Sequence, residues 1–136
     1  MDRLLALAHN EDVRVVWRNL GKRRGEYVHG ARLIRLNPRM SEVLQRSTLA
    51  HELGHAHHGD AWTDNPHIKQ LREERANLYA ARLLISPLEY AVAEQLVGHH
   101  TGALAKELGV ASYIIDAWKT APPTPYLQLI GRQEAI

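Results

Sequence analysis

Ser41-Glu42-Val43-Leu44-Gln45-Arg46-Ser47-Thr48-Leu49-Ala50-His51-Glu52-Leu53-Gly54-His55-Ala56-His57-His58-Gly59 decides what the chain can fold into. Ser41 is a capping residue set before apolar positions that recur at helical spacing, and Gly59 is a stop. A helix is predicted between them, with Val43, Leu44, Ser47, Ala50, Leu53 and Gly54 toward the core. Within it, His51-Glu52-Leu53-Gly54-His55 sets two imidazoles one turn apart on a shared face. Two such nitrogens hold one Zn²⁺ at about 2.0–2.1 Å. Glu52 follows the first ligand, where its carboxylate reaches a water rather than the ion and serves as general base. Gly54 suits the close approach of a neighbouring element.

Upstream, the pattern is strand-like. A short first helix over Leu4, Leu5, Leu7 and Ala8 precedes a strand through Val13, Val15 and Trp17. Asn19 to Gly25 is read as a hairpin turn, followed by short strands at Glu26 to His29 and Arg32 to Leu36. Downstream, a loop from Asp60 to Pro66 leads into a second long helix, Ile68 to Ile85, with Leu71, Leu78, Ala81 and Leu84 on one face. Ser86-Pro87 caps a third helix reaching about Val97. Thr101 to Leu108 and Ser112 to Thr120 are two short helices joined at Gly109. The expectation is α+β: a small three-stranded antiparallel sheet packed against a mostly helical bundle, zincin-like. Residues 1–121 are expected to form a single domain, and 122–136, after Ala121-Pro122-Pro123, a C-terminal tail.

Composition narrows the chemistry. At 136 residues with 45% apolar, one domain with a real core is expected. The absence of cysteine excludes disulfides, thiolate zinc sites, iron–sulfur clusters and thiol nucleophiles. A net charge of +2 is too small an excess to argue for nucleic acid. No apolar run approaches the roughly 18 residues of a membrane span, so the expectation is a cytoplasmic protein without a membrane partner. Nine histidines stand out, because five of them fall between His51 and His67.

A catalytic zinc takes three protein ligands and keeps a fourth position open. The longer motif with a following glycine and histidine fails here, since His58 and Ala61 occupy those positions. A carboxylate on the next helix remains, and Glu73 and Glu74 are both candidates, 18 and 19 residues past His55.

The motif, taken with Glu74-Arg75-Ala76-Asn77-Leu78-Tyr79-Ala80-Ala81-Arg82-Leu83-Leu84, resembles the ImmA/IrrE family of zinc metallopeptidases. That family pairs the His-Glu-x-x-His helix with a later Glu-x-x-Ala-Asn-aromatic-Ala-x-x-Leu-Leu segment. The resemblance extends over roughly residues 25 to 120, including Arg46-Ser47-Thr48-Leu49-Ala50 and Ala103 to Val110. It implies a gluzincin-like third ligand, carried onto Glu74 with Glu73 as the alternative one residue away. It implies Zn²⁺ as cofactor and a helix-turn-helix transcriptional repressor of a phage or mobile element as the protein cleaved or inactivated. Tyr79 in place of the commoner phenylalanine, and one extra residue before Pro87, depart from the family pattern without touching a ligand.

Asn77 is a candidate support for a zinc ligand. Tyr79 and His67 are candidates for contact with substrate or for stabilising developing negative charge. Two other classes compete with the peptidase. One is a non-catalytic, zinc-stabilised binding module that sequesters a regulator. The other is a DNA-binding regulator using residues 104–118, whose second helix offers only Ser112, Tyr113, Asp116 and Lys119 to a groove.

Overall fold

The computed structural model describes residues 1–121; the expected tail, 122–136, lies outside the described residues. The elements are α1 (Asp2–Asn10), β1 (Arg14–Trp17), β2 (Gly25–Val28), a 3-10 turn (His29–Ala31), β3 (Leu33–Leu36), α2 (Glu42–His58), α3 (Pro66–Leu84), α4 (Pro87–Val97), α5 (Thr101–Leu108) and α6 (Ser112–Thr120). Among the described residues the fold is α+β, a small sheet beside six helices.

The sheet is mixed, which corrects the expectation of an antiparallel meander. Its order is β1-β3-β2, with β3 parallel to β1 and antiparallel to β2. Residues 18–24 are therefore no hairpin turn. They carry the chain across the end of β3 to the far edge, a span of two strand spacings or about 9.6 Å. Asn37, buried at the end of β3, fastens this crossing. Its Nδ2 donates to the carbonyls of Gly21 and Arg23, and its backbone N–H donates to that of Arg24. The consequence for function is that β2 is an edge strand, while β3, over the expected Arg32–Leu36 strand, is the central one.

α2 runs through the middle of the molecule. On one side Leu49, Leu53 and Ala56 pack with Ile34 and Leu36 of β3 and Leu4 and Ala8 of α1. On the other, Ala50 joins Ala80, Ala81, Leu104, Ile114 and Ile115 of the later helices. Val43, expected in the core, is exposed instead, as is Leu71 on the expected apolar face of α3. The α2 ends are set by local chemistry. Ser41 Oγ accepts from the Leu44 N–H, and Gly59 takes a left-handed φ of +67° that a side chain resists. α3 starts with the Asn65 side chain accepting from His67 and Ile68 N–H ahead of Pro66, and α4 with a capping box between Ser86 and Glu89.

α2 and α3 form an antiparallel pair in close contact at Gly54 and Ala76. A Cβ on Gly54 would lie 3.0 Å from Ala76 Cα and 3.1 Å from its carbonyl oxygen. Replacing Gly54 with alanine gains about 1 kcal/mol of helix propensity. Forcing a methyl group into backbone costs about 1–3 kcal/mol. Gly54→Ala is expected to denature at lower urea concentration and to bind metal more weakly. A variant of unchanged midpoint and metal affinity would contradict this packing.

Candidate metal centre and cleft

The Gly54–Ala76 contact fixes the site. His51 and His55 lie three residues before and one after Gly54, and Glu73 and Asn77 hold the same offsets from Ala76. The two helices therefore bring these four side chains together. His51 Nε2 stands 2.9 Å from Glu73 Oε2, His55 Nε2 stands 3.1 Å from Glu73 Oε1, and the two Nε2 atoms are 3.1 Å apart. A tetrahedral ion with bonds of about 2.0–2.1 Å sets its ligand atoms about 3.3 Å apart. The three side chains therefore fit a zinc ion with little adjustment, and His51, His55 and Glu73 form a group able to hold a metal.

Glu74 does not join them. Its carboxylate accepts from Gln70 Nε2 at 3.2 Å on the outer side of α3. The candidate third ligand is instead Glu73, which, unlike Glu74, precedes Asn77 by four and shares its face.

The remaining ring nitrogens are occupied too. His51 Nδ1–H donates to Asn77 Oδ1 at 2.7 Å, and His55 Nδ1–H to Asp60 Oδ2 at 2.9 Å. Each bond leaves the Nε2 lone pair directed at the site, the arrangement that orients metal-binding histidines. Asn77 thus lies in bonding contact with His51. Asp60 was not foreseen, although it follows the helix stop directly. It is deeply buried and held by Arg75 as well. Asp60→Asn is expected to weaken metal affinity about 10–100-fold while the fold persists, measurable by competition with a chromophoric chelator. An affinity within twofold of the unsubstituted protein would sink that role.

Glu52 is buried at 7% exposure yet accepts no hydrogen bond from any described residue. Burial pushes its pKa up, opposed by the nearby His51 and His55. In the metal-free protein, burial disfavours charge on His55, but its bonds to Glu73 and Asp60 outweigh that and carry it up to about 9. Glu73 is held well below the usual carboxylate range, chiefly by its bonds to His51 and His55. The raised His55 contributes stability that is complete below about pH 6.5 and lost as pH rises through about 9. The depressed Glu73 contributes stability present above about pH 4.5 and lost as pH falls. Metal-free protein should therefore melt at a lower temperature at about pH 9.5 than at pH 6.5, a fall that a flat melting profile would contradict. Metal affinity should rise over the same interval, since His55 must shed its proton.

The other candidates lie elsewhere. Tyr79 stacks on His57 with ring centroids 5.1 Å apart, behind the Gly54 contact rather than at the ligands. His67 is exposed at the first turn of α3. His58 Nδ1 bonds the Gly54 carbonyl. Tyr113 of α6, by contrast, meets His51 edge-on at 6.4 Å, and burial pushes its hydroxyl pKa up. α6 lies against α3 with Ile114 and Ile115 fully buried, and its exposed side offers no cluster of basic residues.

The ligands open into a cleft of about 570 Å³. Glu52, His55, Asp60 and Glu73 form its floor, residues 25–30 one wall, and Ala61, Trp62, Thr63, Lys69 and Arg72 the other. β2 runs alongside α2 in the same direction. A Cβ at Gly25 would meet Thr48 Cγ2 at 2.7 Å, and one at Gly59 would meet the His29 ring at 3.5 Å. A larger cavity of about 770 Å³, between Arg3, Arg46, Ile85 and Trp118, contains none of the ligands.

Two histidines and a carboxylate around a buried unbonded glutamate, beside a free strand edge, define a metallopeptidase type of site. The family model of the IrrE N-terminal-like domain, Peptidase_M78, matches residues 8–116, and the chain belongs to that family. The search of curated proteins found no match. Among the described residues, no helix is long and apolar enough to cross a membrane.

Proposed function

We propose that the protein is a zinc-dependent metallo-endopeptidase that cuts a helix-turn-helix transcriptional repressor of a phage or mobile element. The observation that carries the catalytic reading is the near-tetrahedral spacing of His51, His55 and Glu73 beside the unbonded Glu52 carboxylate. Membership of the family and the sequence resemblance support the choice of substrate.

His51, His55 and Glu73 would hold the ion. When bound, zinc supplies Lewis acidity toward the scissile carbonyl and toward water. Glu52 takes the proton of the attacking water and delivers it to the leaving amine, work suited to a carboxylate whose pKa burial has raised. β2 lends its open edge to an extended substrate, pairing backbone to backbone. Asn77 and Asp60 keep the two imidazoles from turning away.

The test is incubation of the zinc-loaded protein with the repressor encoded beside its gene, read by mass spectrometry. Two complementary fragments are expected. An intact repressor under conditions where the protein retains zinc would overturn the assignment.

A further inference from the structure

Resting on the peptidase reading, we propose that the cleft selects an extended segment with a large apolar or aromatic side chain and an acidic side chain just N-terminal to the bond attacked, gripped by Trp62 and Lys69.

Trp62 is 86% exposed, more than any other large apolar side chain among the described residues. Indole rings usually bury about 150–250 Å². This one stands in solvent on a loop that is firmly held. Arg72 donates to the Ala61 carbonyl at 2.6 Å, the Asp60 N–H donates to the His55 carbonyl, and the Asn65 N–H donates to Thr63 Oγ1. A large side chain presented on a clamped backbone loses little freedom when a partner covers it, which is the economy of a binding anchor.

Charge on the same wall is equally specific. Arg72 is occupied by Ala61 and faces Asp60, whereas the Lys69 ammonium makes no hydrogen bond or ion pair with any described residue. The acidic groups of the cleft other than Glu52 are already committed: Glu26 to Arg23 and Arg35, Asp60 to Arg75 and His55, and Glu73 to the two histidines. Lys69 is left to attract an anion brought by the substrate.

Geometry places that anion. Lys69 precedes Glu73 by four residues on one face of α3, a displacement of about 5.4–6 Å. An extended chain advances about 3.3 Å per residue, so Lys69 lies between one and two residues from the reacting carbonyl. Antiparallel pairing is the more stable way to extend an edge. Laid antiparallel on β2, a substrate enters from the Gly59 end, and Trp62 and Lys69 meet the residues preceding the bond.

The full chain carrying Glu52→Gln, loaded with zinc, can hold peptides uncut. Two fluorescein-labelled peptides would be titrated by anisotropy, identical except for Phe-Glu or Ser-Lys before the central bond. The Phe-Glu peptide should bind at least about tenfold more tightly. Adding Trp62→Ala should remove most of that advantage, and adding Lys69→Glu should shift the charge preference toward lysine. Equal binding of both peptides, no binding of either, or a preference untouched by both changes overturns the proposal. Cleavage by the unsubstituted protein is read in parallel. Preference without cleavage would retain Trp62 and Lys69 as the grip and sink the peptidase reading. Cleavage without preference would do the reverse.

Discussion

Glu52→Gln is expected to lower the rate of repressor cleavage by about 10²–10⁴-fold while the protein still binds one zinc ion. Glutamine keeps the shape of glutamate but cannot accept the proton. The carboxylate accepts no hydrogen bond from a described residue, so little of the packing depends on it. Removing a buried charge that burial already disfavours should leave the melting temperature unchanged or raise it. The measurement pairs product formation by mass spectrometry with metal content. Repressor inactivation undiminished in this variant would mean that the domain sequesters its partner rather than cutting it.

Glu73→Ala is expected to reduce zinc affinity by more than about a hundredfold, with Glu74→Ala within about twofold of the unsubstituted protein. Glu73 bridges both imidazoles, whereas the Glu74 carboxylate accepts from Gln70 across one helical turn. The metal-free Glu73→Ala protein gives an independent readout. His55 loses one of the two bonds that hold its pKa up, so its titration by NMR should move down from about 9. Loss of zinc on replacing Glu74 in place of Glu73 would overturn the geometry.

The helices were legible because their ends are written locally. Ser41, Ser86-Pro87 and Gly109 each act on neighbours within a turn, and the helices begin and stop where these residues put them; the Asn65-Pro66 cap was read as loop, so α3 starts two residues ahead of the expected Ile68. Sheet order was not legible. It depends on where residues 18–24 cross, and the fastening comes from Asn37, well downstream. His51 and His55 declared themselves by spacing, but the third ligand turned on a single position. Two residues separate Glu73 from Ala76, so the Glu-x-x-Ala-Asn spacing, counted strictly, selects Glu73. Asp60 and Tyr113 were hidden for another reason. One hangs from the loop after the helix and the other comes from α6, and only tertiary packing carries them to the histidines.

The contact of Gly54 with Ala76 acts as a calliper. Two backbones resting on each other set the gap between the ligand pairs before any ion arrives, so the jaws cannot close further. A calcium ion wants six to eight oxygens at about 2.3–2.6 Å, whereas the group of His51, His55 and Glu73 offers one carboxylate and two ring nitrogens. The spacing of the candidate ligands is set by two residues outside the ligand group, one lacking a side chain and the other having almost none.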